Sequence, residues 1–121
     1  DLMESQKAIK IKGGTMRLGA YDCKIEPGTK AFAAYRSKKI SERHRHRYEV
    51  NNRYRKRLEK EGLIISGFNE DLGVVESIEI GDHPWFVAGQ FHPELKSRVN
   101  RAHPLFREFI KAAKKHNKNR S

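Results

Sequence analysis

A run of four apolar residues, Trp85 to Ala88, leads into the string Gln90-Phe91-His92-Pro93-Glu94. A short apolar run bounded by turn residues is typical of a buried strand, and a proline cannot continue a strand ladder. The strand therefore ends where a histidine and a carboxylate lie two residues apart, in the kind of loop that carries catalytic groups. The segment predicts either the base of a nucleophilic triad with its orienting carboxylate, or an ordinary turn without chemistry.

Polarity patterns and turn residues predict further elements along the chain. Strands are predicted at 15–24, 63–68 and 74–80, the last two joined by an acidic turn that indicates antiparallel pairing. Helices are predicted at 31–35, from Asn51 or Asn52 to about Lys60 with Gly62 beyond its end, and from Pro104 onward. We expect two inward faces, Tyr54 with Leu58 on the second helix and Leu105, Phe106, Phe109, Ile110 and Ala113 on the third, which docks through them.

The segment 43–48 alternates arginine with histidine before ending in Tyr48. Because successive side chains of an extended chain point to opposite sides, the three arginines should share one face and the two histidines the other. His44 and His46 then have the spacing of two zinc ligands, with His83 or His92 as a possible third. The interleaved arginines oppose a divalent cation, so we predict no metal here.

The net charge of +11 is unevenly distributed, since residues 61–95 contain no lysine or arginine while the segments on either side are strongly basic. A basic face of this kind is compatible with a solvated surface or with an RNA-binding module, but such modules usually supply several stacking aromatics and only Tyr48 is available. No apolar stretch approaches the roughly 18 residues of a membrane span. The single cysteine, Cys23, excludes an internal disulfide framework and fits a reducing compartment.

Four strings together resemble one family: Gly13 to Ala20, Glu42 to Asn51, His83 to Ala88 and Gln90 to Glu94. In this order they are similar to the C-terminal half of the class I glutamine amidotransferase domain of CTP synthase, from about Gly13 to Ile110. Gln-Phe-His-Pro-Glu alone is compatible with any class I amidotransferase, whereas the Arg-His-Arg-His-Arg-Tyr string favours CTP synthase. The resemblance implies an α/β fold, a partial amidotransferase domain whose sheet has antiparallel strands and is flanked by helices.

The resemblance also implies roles for individual residues in glutamine hydrolysis. His92 would be the catalytic base, Glu94 would hold its tautomer, and Arg47 would bind the α-carboxylate of L-glutamine. The family's cysteine nucleophile sits on a glycine-flanked elbow, which Cys23 lacks, so Cys23 is predicted to be a packing residue. We therefore expect residues 1–121 to be the C-terminal portion of a longer domain, with the nucleophile upstream of Asp1, and to be inactive alone.

Further expectations about domains and partners follow from the family. Residues 4–14 are predicted to form an exposed loop, with Lys7 to Lys12 contacting either GTP or the synthase domain, and residues 114–121 a frayed basic tail. The fragment itself would hold no cofactor. ATP and magnesium would bind the synthase domain of the same polypeptide, which converts UTP to CTP with the ammonia released, and GTP would be an allosteric activator. The whole enzyme would be a cytoplasmic homo-oligomer, a tetramer by resemblance, without membrane or nucleic-acid partners.

Overall fold

A five-stranded antiparallel sheet organises the chain in a computed structural model that describes residues 17–46 and 48–120, apart from the side chains of Arg17 and Arg120. The elements in chain order are β1 (Arg17–Ile25), α1 (Lys30–Tyr35), β2 (Lys39–His46), a 3-10 turn (Asn52–Tyr54), α2 (Arg55–Lys60), β3 (Leu63–Asn69), β4 (Val74–Ile80), β5 (Val87–Gly89), a second 3-10 turn (Pro93–Leu95) and α3 (Pro104–Arg120). The predicted α/β class with antiparallel strands is confirmed. No helix within the described ranges is long and apolar enough to cross a membrane.

The sheet curls until its two ends meet. Its strand order is β2-β1-β3-β4-β5, yet β1 and β3 share only two paired positions, Lys24 with Phe68 and Ile25 with Gly67. β2 and β5 stand at the two ends of this order. A bridge between His44 on β2 and Phe91, two residues beyond β5, joins these two ends. The inner side of β2 consequently faces β4 across the interior.

Gly67 lies on β3 at a register shift in the pairing of β3 with β4. A Cβ atom there would lie 2.4 Å from Ser77 Oγ and 2.8 Å from Cys23 Sγ. Only a residue without a side chain fits this spacing, because real Cβ contacts do not come below about van der Waals distance. A larger residue at position 67 would therefore force the side chains of Ser77 and Cys23 to move.

Two small apolar clusters fill the space between the sheet and the helices. One is built on Cys23, Ile25 and Ala31, and the other on Ala34, Phe91 and Leu105. Buried carboxylates are unusually numerous beside them, namely Glu42, Glu49, Glu76 and Glu79. Burying a charged group is costly unless it is paired or hydrogen-bonded, so each carboxylate is expected to have a specific structural role.

Glu79 shows such a role at the start of α1. Its Oε1 accepts a hydrogen bond from Lys30 N at 2.7 Å and its Oε2 accepts one from Ala31 N at 3.2 Å. The first amides of a helix have no partner within the helix, and a carboxylate satisfies them. Glu79 thereby fixes α1 to β4, with Thr29 completing the cap through Phe32 N.

Most predicted element positions are confirmed, including the Asn51 cap and the left-handed Gly62 beyond α2. The prediction that Tyr54 and Leu58 form the inward face of the second helix is wrong. Tyr54 and Leu58 are 54% and 39% exposed, because α2 rests on the sheet through Arg55, whose guanidinium lies 4.6 Å from the Phe68 ring centroid. The contact face is thus rotated by one residue, about 100°, from the apolar one.

Two other predictions need correction. The strand predicted at Trp85–Ala88 begins at Val87 and is only half-buried, because Trp85 N donates to His83 Nδ1 and the preceding residues form a turn. Helix α3 docks only at its first turn, where Leu105 is buried, while Phe106, Phe109 and Ile110 remain exposed. The short helix α1 covers no more of α3 than this first turn. The helix is described as far as Arg120, and the fraying of residues 114–121 stays a prediction.

Candidate active site

His92 and Glu94 form a close pair on an exposed turn. Pro93 opens the 3-10 turn after His92, which brings the two side chains together, with His92 Nδ1 2.6 Å from Glu94 Oε1. The hydrogen bond from His92 holds the pKa of Glu94 below its usual value, assisted by a backbone hydrogen bond. Since a carboxylate only accepts, Nδ1 carries the proton. Nε2 of a neutral His92 is then the unprotonated nitrogen, which is the arrangement of a general base with a fixed tautomer.

Hydrogen bonds to the backbone of β2 and β4 hold the His92 turn. His92 N donates to Arg43 O at 2.8 Å, and Lys96 Nζ donates to Ser41 O at 2.6 Å. On the other side Gln90 N donates to Glu76 O at 2.8 Å. The position of His92 is therefore set by two strands that are remote from each other in the sheet order.

The alternation of arginine and histidine side chains predicted for segment 43–48 is found in the described part of that segment. Arg43 and Arg45 are exposed on the outer face, His44 is fully buried and His46 is half-buried. Arg47, the predicted glutamine ligand, lies outside the described residues, as do the predicted loop at 4–14 and Lys7 to Lys12. The structure therefore gives the strand that leads to Arg47, and the role of Arg47 stays a prediction.

Cys23 lies on β1 with 1% of its surface exposed, packed with Ile25 and Ala31. Its thiol donates to the neighbouring Lys24 O at 3.7 Å. A reactive thiol is normally found in an accessible, electropositive setting, and a buried one behaves as a small apolar residue. These surroundings suit the packing role predicted for it.

A buried network, which the sequence reasoning missed, lies behind the basic strand. His44 Nε2 is 2.8 Å from Glu76 Oε2, with both side chains fully buried, although the two atoms are not well aligned for a hydrogen bond. His44 Nδ1 is 2.9 Å from His46 Nε2, and His46 Nδ1 is 3.1 Å from Tyr48 O and 3.5 Å from Glu49 Oε1. The period of two indicated that the histidines face inward, but no sequence signal linked them to Glu76 on β4.

A second buried cluster fixes another inward residue of β2, Glu42. Its Oε2 accepts hydrogen bonds from Tyr35 at 2.5 Å and from Nε2 of His103, while His103 Nδ1 accepts from Leu105 N at 3.1 Å at the start of α3. Burial, and then the bond to Glu42, raise the pKa of Tyr35, so its phenol stays a donor. In the part of the chain that the structure describes, no group of three His, Cys, Asp or Glu side chains is arranged to hold a metal.

Comparison with known proteins gives a consistent set of similarities. Residues 3–112 match the family model for class-I glutamine amidotransferases. The CTP synthase of Methanosphaera stadtmanae is 62% identical over 119 residues, and that of Carboxydothermus hydrogenoformans is 64% identical over 118 residues. Each alignment covers 98% of this chain and 22% of the relative, so the chain spans about a fifth of the length of these relatives.

One similar solved structure is the glutaminase domain of Trypanosoma brucei CTPS with bound acivicin. It superimposes with a TM-score of 0.79 at 39% sequence identity, over 84% of this chain and 40% of that one. The curled sheet and its helices are therefore an arrangement found in a glutaminase domain.

Proposed function

Because the chain belongs to the class-I glutamine amidotransferase family, we propose that it is the C-terminal part of the glutaminase domain of a CTP synthase. The proposal is supported most directly by the His92–Glu94 pair, whose Nδ1 to Oε1 distance is 2.6 Å, on a turn outside the apolar core. The names of the similar relatives support CTP synthase over other class I amidotransferases.

In the proposed reaction a cysteine thiolate attacks the side-chain amide carbon of L-glutamine. The cysteine comes from the portion of the relatives' length that this chain does not span. Nε2 of His92 removes the thiol proton and gives it to the departing nitrogen, so that ammonia leaves and a thioester remains. His92 then activates water, which cleaves the thioester to glutamate and restores the thiol. Glu94 keeps Nδ1 protonated and the ring oriented throughout both steps.

Arg47 is proposed to bind the α-carboxylate of glutamine. A guanidinium suits this task because its planar fork donates two parallel hydrogen bonds to a carboxylate. Arg43 and Arg45 are exposed, and the alternation of the sequence predicts that Arg47 belongs to the same row of guanidinium groups. The positive row would also attract the anionic end of the substrate.

The synthase half of the proposed enzyme lies in a separate domain. There the ammonia would aminate UTP to CTP with hydrolysis of ATP, which with magnesium would bind that domain, and GTP would activate the glutaminase. A cytoplasmic homo-oligomer, with a tetramer as the expected form, completes the proposal. All of these features rest on the family and on the names of the similar proteins.

The test uses the CTP synthase of Carboxydothermus hydrogenoformans with its matching segment replaced by this chain, hereafter the grafted enzyme. His92→Ala should abolish CTP formation from glutamine and leave CTP formation from added ammonium salt unchanged, because ammonia bypasses the glutaminase step. His83→Ala is the matched control, since His83 is exposed and lies on a different turn. Equal loss of both reactions in His92→Ala would show a structural role and contradict the proposal.

A further inference from the structure

The loop that carries the candidate base runs from His92 to the start of α3 (residues 92–103, hereafter the His92 loop). Its first half is bound to the backbone of β2. Arg43 O accepts a hydrogen bond from His92 N at 2.8 Å, and Ser41 O accepts one from Lys96 Nζ at 2.6 Å. The two carbonyls stand two positions apart on the strand, so two points of the loop are fixed to one short stretch of β2.

The last residue of the His92 loop, His103, is bound to the residue between those two carbonyls. Its Nε2 is hydrogen-bonded to Oε2 of Glu42, and both side chains are buried. Because Nδ1 of His103 accepts from Leu105 N at 3.1 Å, Nε2 carries the proton and donates to the carboxylate. The end of the loop is therefore fixed to β2 as well, at a position where water cannot easily replace the lost partner.

A further hydrogen bond connects His103 to the part of the loop next to the candidate base. His103 N donates to Ser97 Oγ at 3.0 Å, and Ser97 lies two residues beyond the 3-10 turn that places Glu94 against His92. The bond closes the second half of the loop, so a displacement of His103 would move Ser97 as well. A bonded path therefore leads from the turn of His92, through Ser97 and His103, to the buried carboxylate of Glu42.

We propose that His103 is a positioning residue for glutamine hydrolysis, and that its hydrogen bond to Glu42 fixes the far end of the His92 loop. This inference rests on the proposed function of His92. A general base acts only within hydrogen-bonding reach of the proton that it removes, so a loop released at one end would hold Nε2 of His92 in place less often. A displacement of about 1 Å can cost about 100-fold in rate. His103 acts through the position of His92 alone.

Two substitutions at His103 separate its two side-chain contacts. In His103→Asn the side-chain oxygen can still accept from Leu105 N, since asparagine is a good helix cap, but the amide ends short of Glu42. In His103→Gln the amide nitrogen takes the place of Nε2 and can donate to Glu42. His103→Asn should lower kcat for glutamine by about 10- to 100-fold, and His103→Gln should recover most of that loss. The KM for glutamine should change little, because Arg47, its proposed ligand, lies outside the His92 loop.

Tyr35→Phe is the matched control. It removes the other hydrogen bond to the same oxygen, Glu42 Oε2, from a partner on α1 and not on the loop. It should leave kcat for glutamine unchanged although it disturbs the same buried cluster. The measurements are glutamate release and CTP formation from ammonium salt by the grafted enzyme, with circular dichroism to show that each variant is folded. If His103→Asn does not fold, Ser97→Ala interrupts the same path at a half-buried position and should lower kcat in its place.

An unchanged kcat in folded His103→Asn, or in Ser97→Ala where it replaces that variant, overturns the inference. An equal fall in Tyr35→Phe does so too, as does a His103→Gln variant as slow as His103→Asn. An equal loss of the reaction fed by ammonium salt would show that His103 supports the fold as a whole, which also contradicts the inference. Retained glutaminase activity in His92→Ala would instead overturn the proposed function, so the two failures are distinct.

Discussion

His44 and Glu76 lie 2.8 Å apart although their strands, β2 and β4, are separated by β1 and β3 in the sheet order. The contact exists because the sheet curls and closes through the bridge between His44 and Phe91. A flat five-stranded sheet would place these strands about 14 Å apart, three spacings of about 4.8 Å. The curl thus creates an interior in which the buried contact between His44 and Glu76 lies next to the turn of His92.

Arg47→Ala should sharply reduce CTP formation from glutamine in the grafted enzyme. The lost bidentate contact is charge-assisted, and such contacts contribute about 1.5 to 3 kcal/mol, or roughly 10- to 150-fold in kcat/KM. The reaction fed by ammonium salt should be unaffected. Arg45→Ala, two residues earlier on the same predicted face, is the matched control. A parallel decline of both reactions would assign Arg47 a structural role.

Glu94→Gln should lower kcat for glutamine, because an amide no longer specifies which nitrogen of His92 carries the proton. In the native pair the pKa of Glu94 is lowered by its hydrogen bond with His92. The contribution of the contact is thus fully present above the ordinary carboxyl range and is lost as pH falls through the lowered value. A ¹³C NMR titration of labelled glutamate should show the Glu94 carboxyl titrating below a model peptide. Its absence from the spectra of Glu94→Gln would assign the signal, and an ordinary titration would refute the pairing.

Gly67→Ala should destabilise the domain by about 1 to 3 kcal/mol, the usual range for overpacking, since the new methyl group would overlap Ser77 Oγ and Cys23 Sγ. Gly81→Ala is the control, because the added carbon would meet only Ile64 Cδ1 at 3.1 Å, the end of a movable side chain. The measurement is the temperature at which the grafted enzyme loses half of its glutaminase activity after a fixed incubation. Equal losses in both variants would mean that the close approach at Gly67 carries no special cost.

The 121-residue chain by itself should release no ammonia from glutamine. Without a nucleophile no thioester forms, and general-base assistance alone contributes only about 10² to 10⁴ in rate. Cys23→Ala should leave this result unchanged and should also leave the grafted enzyme active, since Cys23 is buried in the core. Activity of the chain that vanished in Cys23→Ala would make Cys23 the nucleophile.

Purified protein should contain no stoichiometric transition metal at His44 and His46. Their ring nitrogens already face each other, Glu76 and Tyr48 O, so metal binding would have to displace these contacts. Elemental analysis after dialysis against zinc is the measurement, with His44→Ala as the comparison. One equivalent of zinc that is lost in the variant would contradict the prediction.

Local patterns were sufficient to predict most elements, because alternation, caps and turn residues act over a few positions. The inward direction of His44 and His46 and the pairing of His92 with Glu94 could be predicted in this way, from neighbouring residues alone. The partner of His44 could not be predicted, since Glu76 reaches it only through the curl, which itself depends on a two-position pairing of β1 with β3. The inward face of α2 was predicted wrongly for a similar reason, because Arg55 packs on the ring of Phe68 on β3, a contact between distant segments.

The bridge between His44 and Phe91 also has a consequence for the order of folding. The paired strands β1 with β2 and β3 with β4 are neighbours or near neighbours in sequence, whereas this bridge closes a much longer loop, whose entropy cost must be offset before it forms. We expect the hairpins to form first and the ring to close last. The amide of His92, which bonds to Arg43 O across the closure, should gain protection in pulsed hydrogen exchange later than the amides within β4. A chain that has formed its strands then still lacks the closure that fixes the turn of His92.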